Sequence, residues 1–167
     1  MQFTLLDRIV RFESRGRIVA VKGLSLAEEY LADHFPGNPV MPGVLMLEAM
    51  VQAGNYLLRA AKDFSFSLCS VKEASNVKYA RFLMPADQLI LEVDLLECRE
   101  AEANFSGRGT IGSDTSVSAR WTTRFYNLAT QDARMARNDR IIVESEREKF
   151  RILGGEKCWN QMVANVS

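Results

Sequence analysis

The amino-acid sequence predicts an α+β fold in which an antiparallel β-sheet wraps around one long, buried helix. Three observations support this prediction. A β-hairpin pattern opens the chain, a helix-forming apolar run extends from Gly43 to about Ala61, and segments of alternating apolar and polar residues follow it. The 167 residues fit one domain with a sizeable core.

The first predicted element is the hairpin. The segments RIVRFE (8–13) and RIVAVK (17–22) are rich in β-branched residues, which favour strands. Ser14-Arg15-Gly16 supplies a turn between them. The next segment, SLAEEYLADHFPG (25–37), is predicted to be a short helix or irregular, and it ends at a Pro-Gly step.

The predicted helix begins after Pro42, because a helix start tolerates proline. Ala, Leu and Met dominate residues 43–61, and a helix of this length would be roughly 28 Å long. Its apolar residues lie on nearly all sides, so we expect the helix to be buried.

The candidate strands that follow the helix are residues 76–82, 88–100, 104–111 and 116–127. The last of them shows the clearest alternation between two faces. Its predicted inner face consists of Val117, Ala119, Trp121, Thr123 and Phe125. Short loops between the strands favour an antiparallel sheet.

The character of the chain changes at about residue 127. Residues 131–153 are rich in charge and in helix-forming residues, and Gly154-Gly155 follows them. We therefore divide the chain into a domain at residues 1–126 and a helical C-terminal extension at residues 127–167. We expect the extension to pack on the same domain as a solvated helix, and a regulatory or partner-binding role is the alternative.

Composition excludes several classes of function. Lys plus Arg equals Asp plus Glu at 21 each, which gives no support for nucleic acid or a membrane surface as a partner. The chain has one histidine and three cysteines, Cys69, Cys98 and Cys158, none of them in a C-x-x-C pair. We expect no disulfide framework, no metal site and no cofactor.

Targeting signals are not evident in the sequence. The first residues, MQFTLLDRIVRFE, carry charges and lack the apolar core of a signal peptide. The longest apolar run, residues 44–58, is interrupted by Glu48, Gln52 and Asn55 and is too short to span a membrane. We expect a cytosolic protein.

The strongest functional pattern joins His34 to Glu48. Between them lie two Pro-Gly steps and a third proline, which leave the loop few backbone conformations. A stiff loop can fix the position of a side chain such as that of His34. Glu48, Gln52 and Asn55 form a polar stripe on one side of the helix.

This stripe faces either water or a narrow cavity. In a cavity, partial desolvation would raise the pKa of Glu48 and make it a proton donor, with Gln52 orienting it by a hydrogen bond. At the helix start, Gly43 lets a ligand carbonyl approach the unpartnered N–H groups. A base, an acid and an oxyanion donor are the groups needed to remove a proton next to a carbonyl and expel a leaving group.

The segment from His34 to Gly54 closely resembles the signature of bacterial (3R)-hydroxyacyl-acyl-carrier-protein dehydratases of the FabZ type. Their pattern H-F-P-G-x-P-x-x-P-G-V-L-x-x-E-A-x-x-Q fits this chain throughout. The residues LLDRIVRFE at 5–13 and the pattern ARF…P.DQL at 80–89 also resemble family strands, so the resemblance covers about residues 3–126. It implies a hot-dog fold, a long helix wrapped by an antiparallel sheet.

The resemblance also implies an activity. A (3R)-3-hydroxyacyl thioester on acyl carrier protein would lose water to give the trans-2-enoyl thioester, in fatty acid, polyketide or aryl polyene synthesis. His34 would be the general base that removes the C2 proton, and Glu48 would protonate the departing hydroxyl. The FabA type has Asp at the carboxylate position and also isomerises the double bond, so Glu48 favours plain dehydration.

Further positions take roles from the same resemblance. Gly43 and Val44 would bind the thioester carbonyl, the Val40 carbonyl would orient the imidazole, and Gln52 would orient Glu48. The family forms homodimers with the active site at the interface, His from one subunit and Glu from the other. Further association, as a trimer of dimers, stays open.

One departure from the family pattern concerns the carrier protein. RFLMPADQL has Leu83 and Met84 where the family has a basic pair near the tunnel mouth, while Lys78 and Arg81 remain nearby. Two alternatives stay open: a non-catalytic acyl-binding or partner subunit of the same fold, and another hot-dog enzyme such as a thioesterase or a CoA-dependent hydratase.

Overall fold

The computed structural model describes residues 4–165. One antiparallel sheet contains six strands in the order β1-β2-β4-β5-β6-β3. The strands are β1 (Arg8–Glu13), β2 (Arg17–Gly23), β3 (Leu68–Tyr79), β4 (Gln88–Arg99), β5 (Glu102–Ile111) and β6 (Asp114–Tyr126), and the α-helices are α1 (Gly43–Ala61), α2 (Ala136–Ile152) and α3 (Gly155–Ala164). The predicted α+β architecture is confirmed.

Most predicted strands are observed, with one correction. The hairpin β1–β2 and the strands β4, β5 and β6 lie where the sequence places them. The strand predicted over residues 76–82 is wrong in its bounds, because β3 begins at Leu68 and ends at Tyr79. Most of β3 is exposed, and its pairing with β6 has two register shifts, so the sequence shows no regular alternation there.

Helix α1 packs against β2, β4, β5 and β6, and its inward face forms the centre of the core. Trp121 on β6 fits between the helix and the sheet because two glycines face it. A Cβ atom on Gly54 would lie 3.1 Å from the indole, and one on Gly107 would lie 2.9 Å from it. The helix therefore lies close to the sheet, which fixes its N-terminal end relative to the strands.

The described part of the C-terminal extension, residues 127–165, contains the α-helices α2 and α3. Phe150 and Leu153 at the end of α2 are buried in the main core. The Leu153 carbonyl accepts a hydrogen bond from the Ile9 N–H at 2.8 Å, and α3 packs along β1. Gly154, with φ +79°, connects α2 to α3, so the extension continues as a helix after Gly154-Gly155.

The two edges of the sheet therefore differ in how far they are covered. The extension covers β1, whereas β3 forms the opposite edge and most of its residues are exposed. Within residues 4–165, no helix is long and apolar enough to cross a membrane.

Candidate active site

The His34 side chain is held by its own loop. It follows a short 3₁₀ helix at Glu29–Ala32. Its Nδ1 lies 2.9 Å from the Val40 carbonyl, and the Val40 N–H donates back to the His34 carbonyl at 2.9 Å. The ring stacks on Phe35 with 4.3 Å between centroids, and the His34–Phe35 peptide bond is cis.

This hydrogen bond determines the tautomer of the imidazole. A carbonyl oxygen only accepts, so Nδ1 must carry the proton that it shares with Val40. In the neutral ring, Nε2 then has a free lone pair. The structure thus leaves one ring nitrogen available to accept a proton.

Beside His34 lies a cavity of about 450 Å³, which we call the His34 cavity. Its lining includes His34, Phe35, Gly43, Val44, Tyr79 and Phe82. Four of these side chains are exposed apolar or aromatic groups: Phe35, Val44, Tyr79 and Phe82. The cavity therefore has a largely apolar mouth, and its basic side chains are His34 and Arg81.

Gly43 is required at the start of α1 by a close contact. A Cβ atom there would lie 2.9 Å from the Tyr79 ring, too close for any other residue unless the ring moves. Burial raises the pKa of Tyr79, so its hydroxyl stays protonated at neutral pH. Sequence reasoning missed Tyr79, because it comes from a strand whose end is far from Gly43 in the chain.

Glu48 lies on α1, five residues after Gly43, and is exposed in the single chain. It accepts a hydrogen bond from Gln52 Nε2 at 3.0 Å. The Gln52 Oε1 accepts one from the Leu5 N–H at 2.9 Å, so the amide is fixed at both ends. Gln52 is thus placed to orient the Glu48 carboxyl.

Glu48 lines a second cavity of about 370 Å³, the Glu48 groove. One wall is α1, with Glu48, Gln52, Asn55 and Arg59, and the start of β3 contributes Leu68 and Cys69. The remaining wall comes from α2. The polar stripe thus lies in a groove of the single chain, although Glu48 itself is not desolvated there.

The structure does not bring His34 and Glu48 into one cavity. The lining of the His34 cavity lacks Glu48, and that of the Glu48 groove lacks His34. Gly43 and Val44 line the same cavity as His34. In the described part of the chain, His34 and Glu48 therefore line two separate cavities.

Cys69 is a poor nucleophile in this region. Burial raises the pKa of Cys69, in the Glu48 groove, to about 11, so its thiol is protonated at neutral pH and is a weak nucleophile. Residues 4–165 contain no group of three or more His, Cys, Asp and Glu side chains that could hold a metal ion. The candidate acid–base groups in the two cavities are His34 and Glu48.

Comparison with known proteins identifies the family to which this chain belongs. The model of the FabA-like domain matches residues 1–120 of this sequence. The chain belongs to the FabA-like family. One curated relative, the "3-hydroxyacyl-[acyl-carrier-protein] dehydratase FabZ" of Koribacter versatilis, is 38% identical over 69% of this chain and 74% of its own length. The protein of the same name from Symbiobacterium thermophilum is 33% identical over 78% of this chain and 92% of its own length.

Solved structures agree on the fold. The dehydratase heterocomplex ApeI:P from Xenorhabdus doucetiae contains a chain with a TM-score of 0.65 and 17% identity, over 80% of this chain and 90% of that one. A mutant thioesterase from Pseudomonas aeruginosa has a TM-score of 0.57 and 16% identity, over 72% of this chain and 81% of that one. The predicted hot-dog fold is confirmed.

Proposed function

We propose that this protein dehydrates (3R)-3-hydroxyacyl thioesters carried on acyl carrier protein to trans-2-enoyl thioesters, as the names of its curated FabZ relatives suggest. The observation that carries the proposal is the hydrogen bond from His34 Nδ1 to the Val40 carbonyl. It leaves Nε2 as a base next to the N-terminus of α1, in a chain of the FabA-like family.

The reaction uses His34 and Glu48 as a base and an acid. His34 Nε2 takes a proton from C2, the C2 electron pair forms the C2–C3 double bond, and the C3–O bond breaks. A protonated Glu48 gives its proton to the departing oxygen, which leaves as water. A proton then passes from the imidazolium back to the carboxylate, directly or through solvent.

The thioester carbonyl binds at the start of α1. Negative charge develops on its oxygen when the C2 proton leaves, and the Gly43 and Val44 N–H groups lie in the first helical turn, where donors have no partner within the helix. The helix dipole adds a favourable field there. The contact of Gly43 with Tyr79 keeps this end of the cavity narrow.

A homodimer completes the site. The exposed edge strand β3 has backbone groups available for pairing with a second copy. Antiparallel pairing places the start of one β3 beside the end of the other. Leu68 and Cys69 at the start line the Glu48 groove, and Tyr79 at the end lines the His34 cavity, so each Glu48 meets the partner's His34 cavity.

A direct assay tests the activity. Purified protein is given a (3R)-3-hydroxyacyl thioester on acyl carrier protein, and separately on CoA, and enoyl product is followed by absorbance and mass spectrometry. We expect water loss from the carrier-bound substrate, with the (3S) isomer inert as the matched control. Binding of acyl carrier protein with no turnover would instead indicate the non-catalytic subunit.

A further inference from the structure

The far wall of the Glu48 groove lies outside the part of the chain that the family shares. It consists of Ile142, Glu146 and Lys149 on α2, whereas the family model ends at residue 120. If Glu48 acts at C3 of an acyl chain, the carbons beyond C3 enter a groove that this extension closes. The extension therefore contributes to the choice of substrate.

Charged groups are fixed at this closed end. Arg59 is 5% exposed and donates to the Phe66 and Ser67 carbonyls at 3.0 and 2.8 Å. Its Nε lies 4.0 Å from Glu146, which also pairs with Lys149 at 2.8 Å. A methyl group placed against these charges would displace water and offer no hydrogen bond in return.

Asn55 gives a second, independent observation. It lines the Glu48 groove, and its Oδ1 is buried with no hydrogen-bond partner among residues 4–165. A buried carbonyl oxygen without a donor is unfavourable, and native proteins seldom retain one. A ligand that brings a donor to this position would satisfy it.

We propose that the groove receives the distal end of the acyl chain and selects chains that end in a hydrogen-bond donor such as a hydroxyl. This inference rests on the proposed function. Asn55 follows Glu48 by two helical turns, about 10 Å along α1, so the donor belongs several carbons beyond C3. Substrates of this class are acyl chains oxygenated at the far end.

The experiment compares two substrates that differ in one group. One is a (3R)-3-hydroxydecanoyl pantetheine thioester with a hydroxyl on its last carbon, and the other has a methyl in place of that hydroxyl. Both compete in one reaction, so the ratio of their kcat/KM values does not depend on the amount of active enzyme. We expect the wild type to favour the hydroxyl by about tenfold.

Variants locate the preference in the groove. Asn55→Leu should bring the ratio to one or below, whereas Asn160→Leu, an exposed position on α3, should leave it unchanged. Lys149→Met should lower the ratio without touching α1, and the exposed Lys157→Met is its control. If Asn55→Leu does not fold, the comparison of Lys149→Met with Lys157→Met tests the proposal instead.

The outcomes separate the two proposals. Turnover of both substrates with equal rates, or with the methyl-ended chain preferred, overturns the selection of a polar end and leaves dehydration standing. If the protein turns over neither of these two substrates nor any other 3-hydroxyacyl thioester, the result counts against the proposed dehydratase activity. Because both substrates have the same pantetheine arm, its amide groups cannot produce the difference.

Discussion

His34 is half-buried, and its ring is positioned by one hydrogen bond to the Val40 carbonyl. Replacing it with Ala removes the base but no core contact, so we expect kcat/KM to fall by at least about 100-fold while the fold is kept. Enzyme assays and thermal unfolding measure the two effects. Asn38→Ala, an exposed position on the same loop, serves as the control.

Two results would contradict this assignment. An unfolded His34→Ala variant would make His34 a structural residue, and undiminished activity would remove it from the mechanism.

Individual residues differ in how far the sequence could predict them. His34, Gly43 and Glu48 lie within fifteen residues of one another, so a continuous motif contains them all. Tyr79 contacts Gly43 only because β3 ends beside the start of α1, and nothing local indicates that contact. Lys149 belongs to a charged segment, whose pattern indicates exposure to water rather than the wall of a groove.

At the scale of elements, how well the sequence predicts a strand depends on whether each face of that strand packs on the core or is exposed. β6 has one face on the core and the other partly exposed, so its side chains alternate and the strand could be read from the sequence. β3 is exposed on nearly all its length, so alternation has no cause there. An edge strand of this kind is not indicated by its own sequence and is identified only from its place in the folded sheet.

Phe150 tests whether α2 belongs to the folding unit. Its ring lies 5.3 Å from that of Phe64 and 5.8 Å from that of Tyr56, in the buried core. Phe150→Ala should lower the free energy of unfolding by about 3 kcal/mol, measured by urea denaturation. Ile152→Ala, at a residue 70% exposed, should change it by less than about 0.5 kcal/mol. Equal small effects would mean that the extension is only loosely attached.

Asp139 anchors the start of α2. Burial alone would raise its pKa, but hydrogen bonds from the Ser67 hydroxyl and from the Ala129 and Leu128 N–H groups bring the pKa below its usual value. A lowered folded-state pKa contributes stability above the unfolded pKa of about 4, and this contribution is lost as the pH falls through the folded pKa.

We therefore expect Asp139→Asn to unfold at lower urea concentration than the wild type at neutral pH. The difference between the two midpoints should shrink as the pH falls below about 4. Glu144→Gln removes an exposed carboxylate from the same helix and is the control. A difference that stays constant with pH would show that the charge of Asp139 is not what anchors α2.

At the scale of the whole molecule, His34 and Glu48 line two separate cavities, and a dimer through β3 would join them. His34→Ala and Glu48→Ala should each be inactive as homodimers. After subunit exchange, about one quarter of wild-type activity should return, because half of the dimers are mixed and each has one intact site. Tagged subunits allow the mixed dimer to be isolated. No activity in that isolated species would place both residues in the site of one subunit.

Docking of the proposed carrier protein would depend on the charge of the whole surface, which is balanced at 21 positive and 21 negative side chains. Of the two residues at the family's basic positions, Leu83 is fully buried and only Met84 is exposed. The nearby Arg81 is already paired with Asp114 at 2.7 Å. Lys78, next to Tyr79, is exposed, so the mouth of the His34 cavity offers an acidic carrier some positive charge but less than the family's basic pair would add.

We therefore expect added salt to suppress turnover of carrier-bound substrate only weakly, because screening acts mainly on the encounter of charged surfaces. The slope of log(kcat/KM) against ionic strength measures this, and the same slope with a pantetheine substrate corrects for effects on chemistry. A steep decline at low ionic strength would mean that another basic patch receives the carrier. Arg134 is paired with Asp132, so Arg137→Ala and Arg140→Ala would then show whether the extension supplies that patch.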